Sequence, residues 1–202
     1  FGEAFVRGSL VVSGDPAATA ANIQGAASLW RLGVAGDLLM HVLDVPLIVV
    51  LYLLLRPVSP GLALLSAVFN VVQTAVLAAN KLTLLAPVFL LNGAANALPA
   101  EGAQGLAYVA ITAHGYGFGI GLVFFGFACL VRGYLIMHCQ YLPRVLGYLL
   151  LAAGACYLVN SFALLLSPEL ASALFPLILL PAFVGELSLA LWLAFKGVDA
   201  GL

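Results

Sequence analysis

The chain has 202 residues, of which 64% are hydrophobic and 7% charged, with a formal net charge of −1 and a mean hydropathy of +1.18. A soluble domain carries roughly 25% charged residues, so this composition excludes a water-soluble fold and reads as a multi-pass integral membrane protein. The near-neutral charge and the lack of any basic run argue against nucleic acid as a partner.

The chain opens with FGEAFVRGSLVV, which has no initiator Met and no signal peptide, and is expected to be the tail of an earlier hydrophobic helix. Asp15-Pro16 has the form of an N-cap followed by proline at the first helical position. It starts an Ala-rich helix over about 16–28 that is too polar to span a bilayer, so the 1–28 segment is expected at the extracytoplasmic surface, leading into Trp30 and Arg31.

In lipid only helices and closed barrels satisfy the backbone. The apolar runs here are long and do not alternate as barrel strands do, which selects an all-α helix bundle. A span needs about 20 apolar residues, and five are predicted near 29–55, 61–91, 105–132, 144–166 and 170–196, forming a single membrane domain over 1–202. A missing first helix would make six. Ser59-Pro60 and Ser167-Pro168 are read as caps of the second and fifth spans, and Leu142-Pro143-Arg144 starts the fourth without a polar cap. Trp30 and Tyr134 are expected to mark the membrane interfaces. If the spans alternate, Arg56, Arg132, Arg144 and Lys196 share one side, against Arg7 and Arg31 on the other. The basic side is expected to be cytoplasmic, with the C-terminus there, in the inner (plasma) membrane of a bacterial cell.

Within the third span, HGYGFGIGLVFFG sets Gly115 and Gly119, and Gly117 and Gly121, four residues apart. That spacing lets helix backbones approach closely in lipid. The glycines follow no strand, so they do not form a nucleotide-binding loop. Cys129, Cys139 and Cys156 have no C-x-x-C spacing and are read as apolar fillers, with no disulfide framework and no zinc motif.

Ionisable groups inside a bilayer are costly and face a protein interior or a water cavity. On the first span Asp37, His41 and Asp44 differ by four and three residues and share one helix face. On the second, Asn70, Gln73, Thr74, Asn80 and Lys81 follow one stripe. His114 lies on the third span, Tyr157, Asn160 and Ser161 on the fourth, and Glu186 on the fifth. The candidate polar cluster is therefore Asp37, His41, Asp44, Gln73, Lys81, His114, Asn160 and Glu186. Depth at about 1.5 Å per residue matches Asp37 with Lys81 as an ion pair, His41 with His114, and Asp44 with Glu186. The last two are expected to be uncharged, since burial disfavours the charged form. Pro46 removes a helix hydrogen bond and crowds the carbonyl of Val42, which kinks the first span beside Asp44.

Several of these stretches (FVRGSLVVSGDPAATAANI, RLGVAGDLLM, HGYGFGIGLVFFG, GYLIMHCQYLPRVLGYLL and GELSLALWLAFKGV) occur in an order that resembles a bacterial family of uncharacterised multi-pass membrane proteins filed as a domain of unknown function. The resemblance covers nearly the whole chain and implies topology, including one more N-terminal hydrophobic helix. It implies no activity and no cofactor, and His41 is less typical of it than Asp44 or His114.

Three functional readings remain. The first is a non-catalytic membrane module or accessory subunit whose partners are lipid, a membrane subunit or a small ligand. The second is an ion- or proton-coupled transporter using Asp44 and Glu186, although no internal repeat is present. The third is a haem- or metal-binding redox protein using His41 and His114. A serine hydrolase is disfavoured because no serine sits in a G-x-S-x-G elbow, and the overall reading leans away from an enzyme.

Overall fold

The computed structural model describes residues 2–92 and 98–198, and every described element is helical. Phe1, residues 93–97 and 199–202 lie outside the described residues, and with Phe1 the expectation attached to the start of the chain. Residues 2–10 are helical, as a wide π-type stretch Gly2–Arg7 running into Gly8–Leu10. The main helices are α1 (Pro16–Gly25), α2 (Ala27–Leu55), α3 (Pro60–Leu91), α4 (Ala100–His138), α5 (Arg144–Leu166), α6 (Pro168–Leu174) and α7 (Leu180–Phe195). Five segments are long and apolar enough to cross a membrane: α2, α3, α4, α5 and Leu177–Phe195.

Local chemistry sets the boundaries. Asp15 caps α1, its Oδ1 accepting from the Ala18 N–H at 2.9 Å, as its position ahead of Pro16 predicts. Ser167 behaves differently. Its side chain caps nothing, and its carbonyl accepts the Ala171 N–H at 3.1 Å. The helix α2 continues through Pro46.

Two spans depart from the sequence reading. The third is longer at both ends: α4 has 39 residues, about 58 Å at the usual helical rise, and it carries Arg132 inside the helix. The fifth is broken. Pro176 follows α6, a single 3₁₀ turn Leu177–Leu179 comes next, and α7 starts just before Pro181. Proline lacks an N–H and disfavours the helical conformation of the residue before it, so the apolar run from 170 onward cannot form one helix.

The chain divides into two compact units, Phe1–Asp44 with Val76–Phe118, and Val45–Ala75 with Gly119–Leu202. In the first unit, Val6, Leu10, Ile23, Trp30, Val34, Leu84 and Val88 form an apolar core. Trp30 is only 1% exposed, and its indole N–H donates to the Leu84 carbonyl at 2.7 Å. It is therefore a core residue and not an interface marker. The buried face of α1 is Thr19, Ala20 and Ile23, and the preceding turn is tied down where the Gly14 N–H donates to the Tyr108 hydroxyl at 2.7 Å.

In the second unit, Leu55, Ala63, Cys129, Leu135, Ile136, Cys139, Leu142, Leu146, Leu150 and Leu189 form the core. The helices α4 and α5 meet along glycines. A Cβ on Gly133 would lie 2.8 Å from the Gly147 carbonyl oxygen, and one on Gly154 would lie 2.7 Å from the Gly126 carbonyl oxygen. Of the pair Gly115 and Gly119 expected to allow close approach, a Cβ at Gly119 would lie 2.7 Å from Leu164 Cδ2, whereas one at Gly115 would meet nothing within 4 Å; the backbone-to-backbone contacts lie further along α4.

These contacts predict opposite effects of the same change. Gly115→Ala is expected to hold or raise stability by about 0.5–1 kcal/mol, because alanine is the better helix former. Gly133→Ala is expected to lower it by about 1–3 kcal/mol through forced separation of two backbones. Thermal midpoints of the two purified variants in detergent check this pair.

Candidate functional site

The first unit holds an ionic cluster built on Asp37. The Arg7 guanidinium, on the N-terminal helical stretch, lies 2.8 Å from Asp37 Oδ2, and the Lys81 ammonium, on α3, lies 3.1 Å from the same oxygen. The backbone at Gly2 lies against this carboxylate so closely that a Cβ there would overlap it. Arg7 and Lys81 are buried and Asp37 is largely so. Charged side chains in the middle of a membrane helix cost about 2.5–3.5 kcal/mol each on insertion scales, and opposite charges in contact offset that cost. The Asp37–Lys81 pair follows the depth match read from the sequence. Arg7 was missed. Its signal was faint: a single arginine in an apolar stretch, assigned to a surface segment.

His41 and Asp44 continue the same face of α2. His41 is 2% exposed, and neither ring nitrogen has a hydrogen-bond partner. Asp44 Oδ2 is 3.8 Å from its Nδ1, too long for a hydrogen bond, and Lys81, Asp44 and Asp37 act on the ring electrostatically. His114 is held differently. The Asn80 side-chain amide donates to the His114 backbone carbonyl at 2.9 Å and lies 3.0 Å from its Nδ1. The same Nδ1 lies 3.3 Å from the Asn80 backbone carbonyl oxygen and 3.4 Å from the Thr83 hydroxyl. Gly117 leaves room for this amide, since a Cβ there would overlap it.

The second unit carries two further networks. Arg132 on α4 is 6% exposed and donates through Nη2 to Asn70 Oδ1 at 2.5 Å. The Asn70 amide donates to Gln73 Oε1 at 2.9 Å, and the Thr74 hydroxyl to the same oxygen at 3.3 Å. Arg132 had been counted as a loop charge; the longer α4 carries it into the protein. Tyr157 donates its hydroxyl to Glu186 Oε1. The sequence reading matches Glu186 in depth with Asp44 and with no basic residue. The late start of α7 leaves it six residues into that helix, level with Tyr157, which lies nine residues before the end of α5. Asn160 is half-buried and joins neither network among the described residues.

The eight residues read from the sequence as one cluster are distributed over both units. Asp37, Lys81, His41, Asp44 and His114 belong to the first unit, and Gln73, Asn160 and Glu186 to the second. Among the described residues no group of three or more His, Cys, Asp and Glu side chains is arranged to hold a metal.

A family model described as "Domain of unknown function (DUF4386)" matches residues 1–197. The chain belongs to the DUF4386 family. It is also similar to an uncharacterized protein of Archaeoglobus fulgidus, 27% identical over 164 residues that cover 81% of this chain and 83% of that protein. No solved structure matches it. For this DUF4386 member, the five apolar helices make the protein membrane-embedded, and its polar side chains gather into internal clusters.

Removing one partner of a buried ion pair leaves the other charge uncompensated and costs about 3–5 kcal/mol. Asp37→Asn is expected to destabilise the protein by that order. Adding Lys81→Met to Asp37→Asn is expected to cost less than the sum of the single changes. A double-mutant cycle read by denaturation in detergent checks both, and strict additivity would mean that the two side chains are not coupled.

Proposed function

We propose that this DUF4386 chain is a non-catalytic integral membrane module, an accessory subunit that works by binding other membrane components. The observation that carries this reading is the use of its intramembrane polar groups. Asp37 is held by Arg7 and Lys81, His114 by Asn80, Asn70 by Arg132 and Glu186 by Tyr157. Polar groups committed to one another serve as links between helices. The outward faces are apolar, with Leu39, Leu43, Leu47 and Val50 of α2 all exposed. Its partners are bilayer lipid and other membrane-embedded subunits, and nucleic acid is not among them.

We place it in the plasma membrane with a cytoplasmic C-terminus. The basis is positive charge in short loops. Arg56, Arg144 and Lys196 are exposed and share a side if the spans alternate, whereas the opposite side has exposed Arg31 and the buried Arg7. Moving Arg132 into the protein weakens this count without reversing it.

A second reading, proton-coupled transport, is favoured by one observation: His41 is buried with no hydrogen bond at either ring nitrogen and faces Asp44. An intramembrane histidine beside a carboxylate has the chemistry of a proton-handling pair.

Purified protein in liposomes separates the two. As a binding module it is expected to give no proton flux under an imposed pH gradient, and Asp44→Asn and Glu186→Gln are expected to alter only folded yield. A pH-driven flux abolished by Asp44→Asn or His41→Gln would replace the first reading with the second. For topology, single cysteines at positions 56 and 144 are expected to react with a membrane-impermeant thiol reagent only after the cytoplasmic face is opened.

A further inference from the structure

We propose that His41 is an acid-sensitive latch for the N-terminal helical stretch Gly2–Leu10. The stretch is docked while the ring is neutral and comes away when the ring takes a proton. This concerns one packed segment at equilibrium and needs neither a partner nor a proton gradient, so it stands or falls separately from the function proposed above.

Three observations in the first unit carry it. First, His41 is sealed in without a hydrogen bond. It is 2% exposed, and both ring nitrogens are buried with no partner. Asp44 Oδ2, at 3.8 Å from Nδ1, is beyond hydrogen-bonding distance. An imidazolium has two N–H donors, and the docked structure offers neither an acceptor. A buried charge without partners is costly, so protonation favours any state that uncovers the ring.

Second, the surrounding charges are already committed. Asp37 lies one turn away on the same helix face and receives Lys81 of α3 at 3.1 Å and Arg7 at 2.8 Å. Lys81 repels a charge on the ring, whereas Asp37 and Asp44 attract it. His114 of α4 is turned to Asn80 and Thr83 of α3. An imidazolium at position 41 is therefore a third cation competing for Asp37.

Third, Arg7 is the competitor able to leave. Lys81 is fixed well inside the long helix α3. Arg7 belongs to a short stretch, and short helical segments have little stability of their own. Besides Arg7, the stretch is held by Val6 against Gly33, by Val6 and Leu10 in the core around Trp30, and by the Asn22 amide on the Leu10 carbonyl. Loss of the Arg7–Asp37 contact thus removes the ionic part of its docking.

Trp30, 1% exposed in that core, is the reporter. The chain carries two tryptophans, so the full chain is made with Trp192→Phe and purified in detergent. Its emission and its quenching by acrylamide are followed from about pH 8 to about pH 5, the range in which histidine changes charge. The expected result is a reversible red shift and a roughly tenfold rise in quenching as the stretch opens. His41→Leu, which cannot take a proton, is expected to show neither, and His41→Gln gives the same expectation should the leucine variant fail to fold. Arg7→Gln is expected to show the exposed signal already at the alkaline end. An unchanged Trp30 signal across the range with His41 intact would overturn the latch. An equal acid response in the His41 variants would assign the titration to another group and overturn the role of His41. A shielded Trp30 at every pH in Arg7→Gln would overturn release of the N-terminal stretch.

Discussion

A carboxylate set among apolar helices has to be neutralised where it stands, and the first unit is arranged around that demand at Asp37. Its oxygen meets Arg7 from the N-terminal helical stretch and Lys81 from α3 while it is itself carried by α2. Three segments are thereby held in one register. A slip of α2 along α3 by one turn, about 5.4 Å, would part the charges and leave all of them buried without partners. The apolar core formed by Val6, Trp30, Val34, Leu84 and Val88 involves the same three segments. Dispersion and burial supply the stability there, while the ionic cluster supplies the alignment. Buried ion pairs are better at selecting one arrangement than at adding net stability.

The second unit meets the same demand with weaker chemistry. Arg132 rests on an amide, and Glu186 receives a phenol hydroxyl. A neutral amide bonds to the Arg132 guanidinium without cancelling its charge. The two units therefore differ in kind: the first contains an ion pair completed from within, and the second holds its buried arginine through a neutral amide.

Much of this was legible in the sequence, and the failures share a cause. Span number and most boundaries follow from hydropathy, and α5 begins and ends where it was predicted. The Asp37–Lys81 pair was legible because depth along two antiparallel spans is simple arithmetic. Hydropathy is blind to backbone geometry, however. It read through Pro176, misplaced the start of the last helix, and so separated Glu186 from Tyr157. It also ended the third span at the first charge it met, which left Arg132 in solvent. Arg7 escaped because a short segment carries no periodicity by which its inward face can be identified. The glycines were read as packing residues, and Gly117 and Gly119 do admit the Asn80 and Leu164 side chains, but the four-residue spacing did not reach the glycines where backbone meets backbone. The informative pattern was a seven-residue spacing present twice, Gly126 with Gly133 on α4 and Gly147 with Gly154 on α5.

That glycine seam affects how the chain assembles. Where leucines interdigitate, docking two helices freezes rotamers, at about 0.5–1 kcal/mol for each side chain immobilised. Gly133 against Gly147, and Gly126 against Gly154, have no rotamers of their own to freeze, so where backbone meets backbone the ordering cost is confined to flanking side chains such as Leu130, Met137, Leu151 and Leu158. Only five residues separate His138 from Arg144, so the two helices are neighbours from the moment both have entered the membrane. The α4–α5 hairpin is thus the part of the second unit that can close earliest and with least ordering, a template on which the shorter, proline-delayed α7 then docks through Gly185, where a Cβ would lie 2.8 Å from the Leu149 carbonyl oxygen.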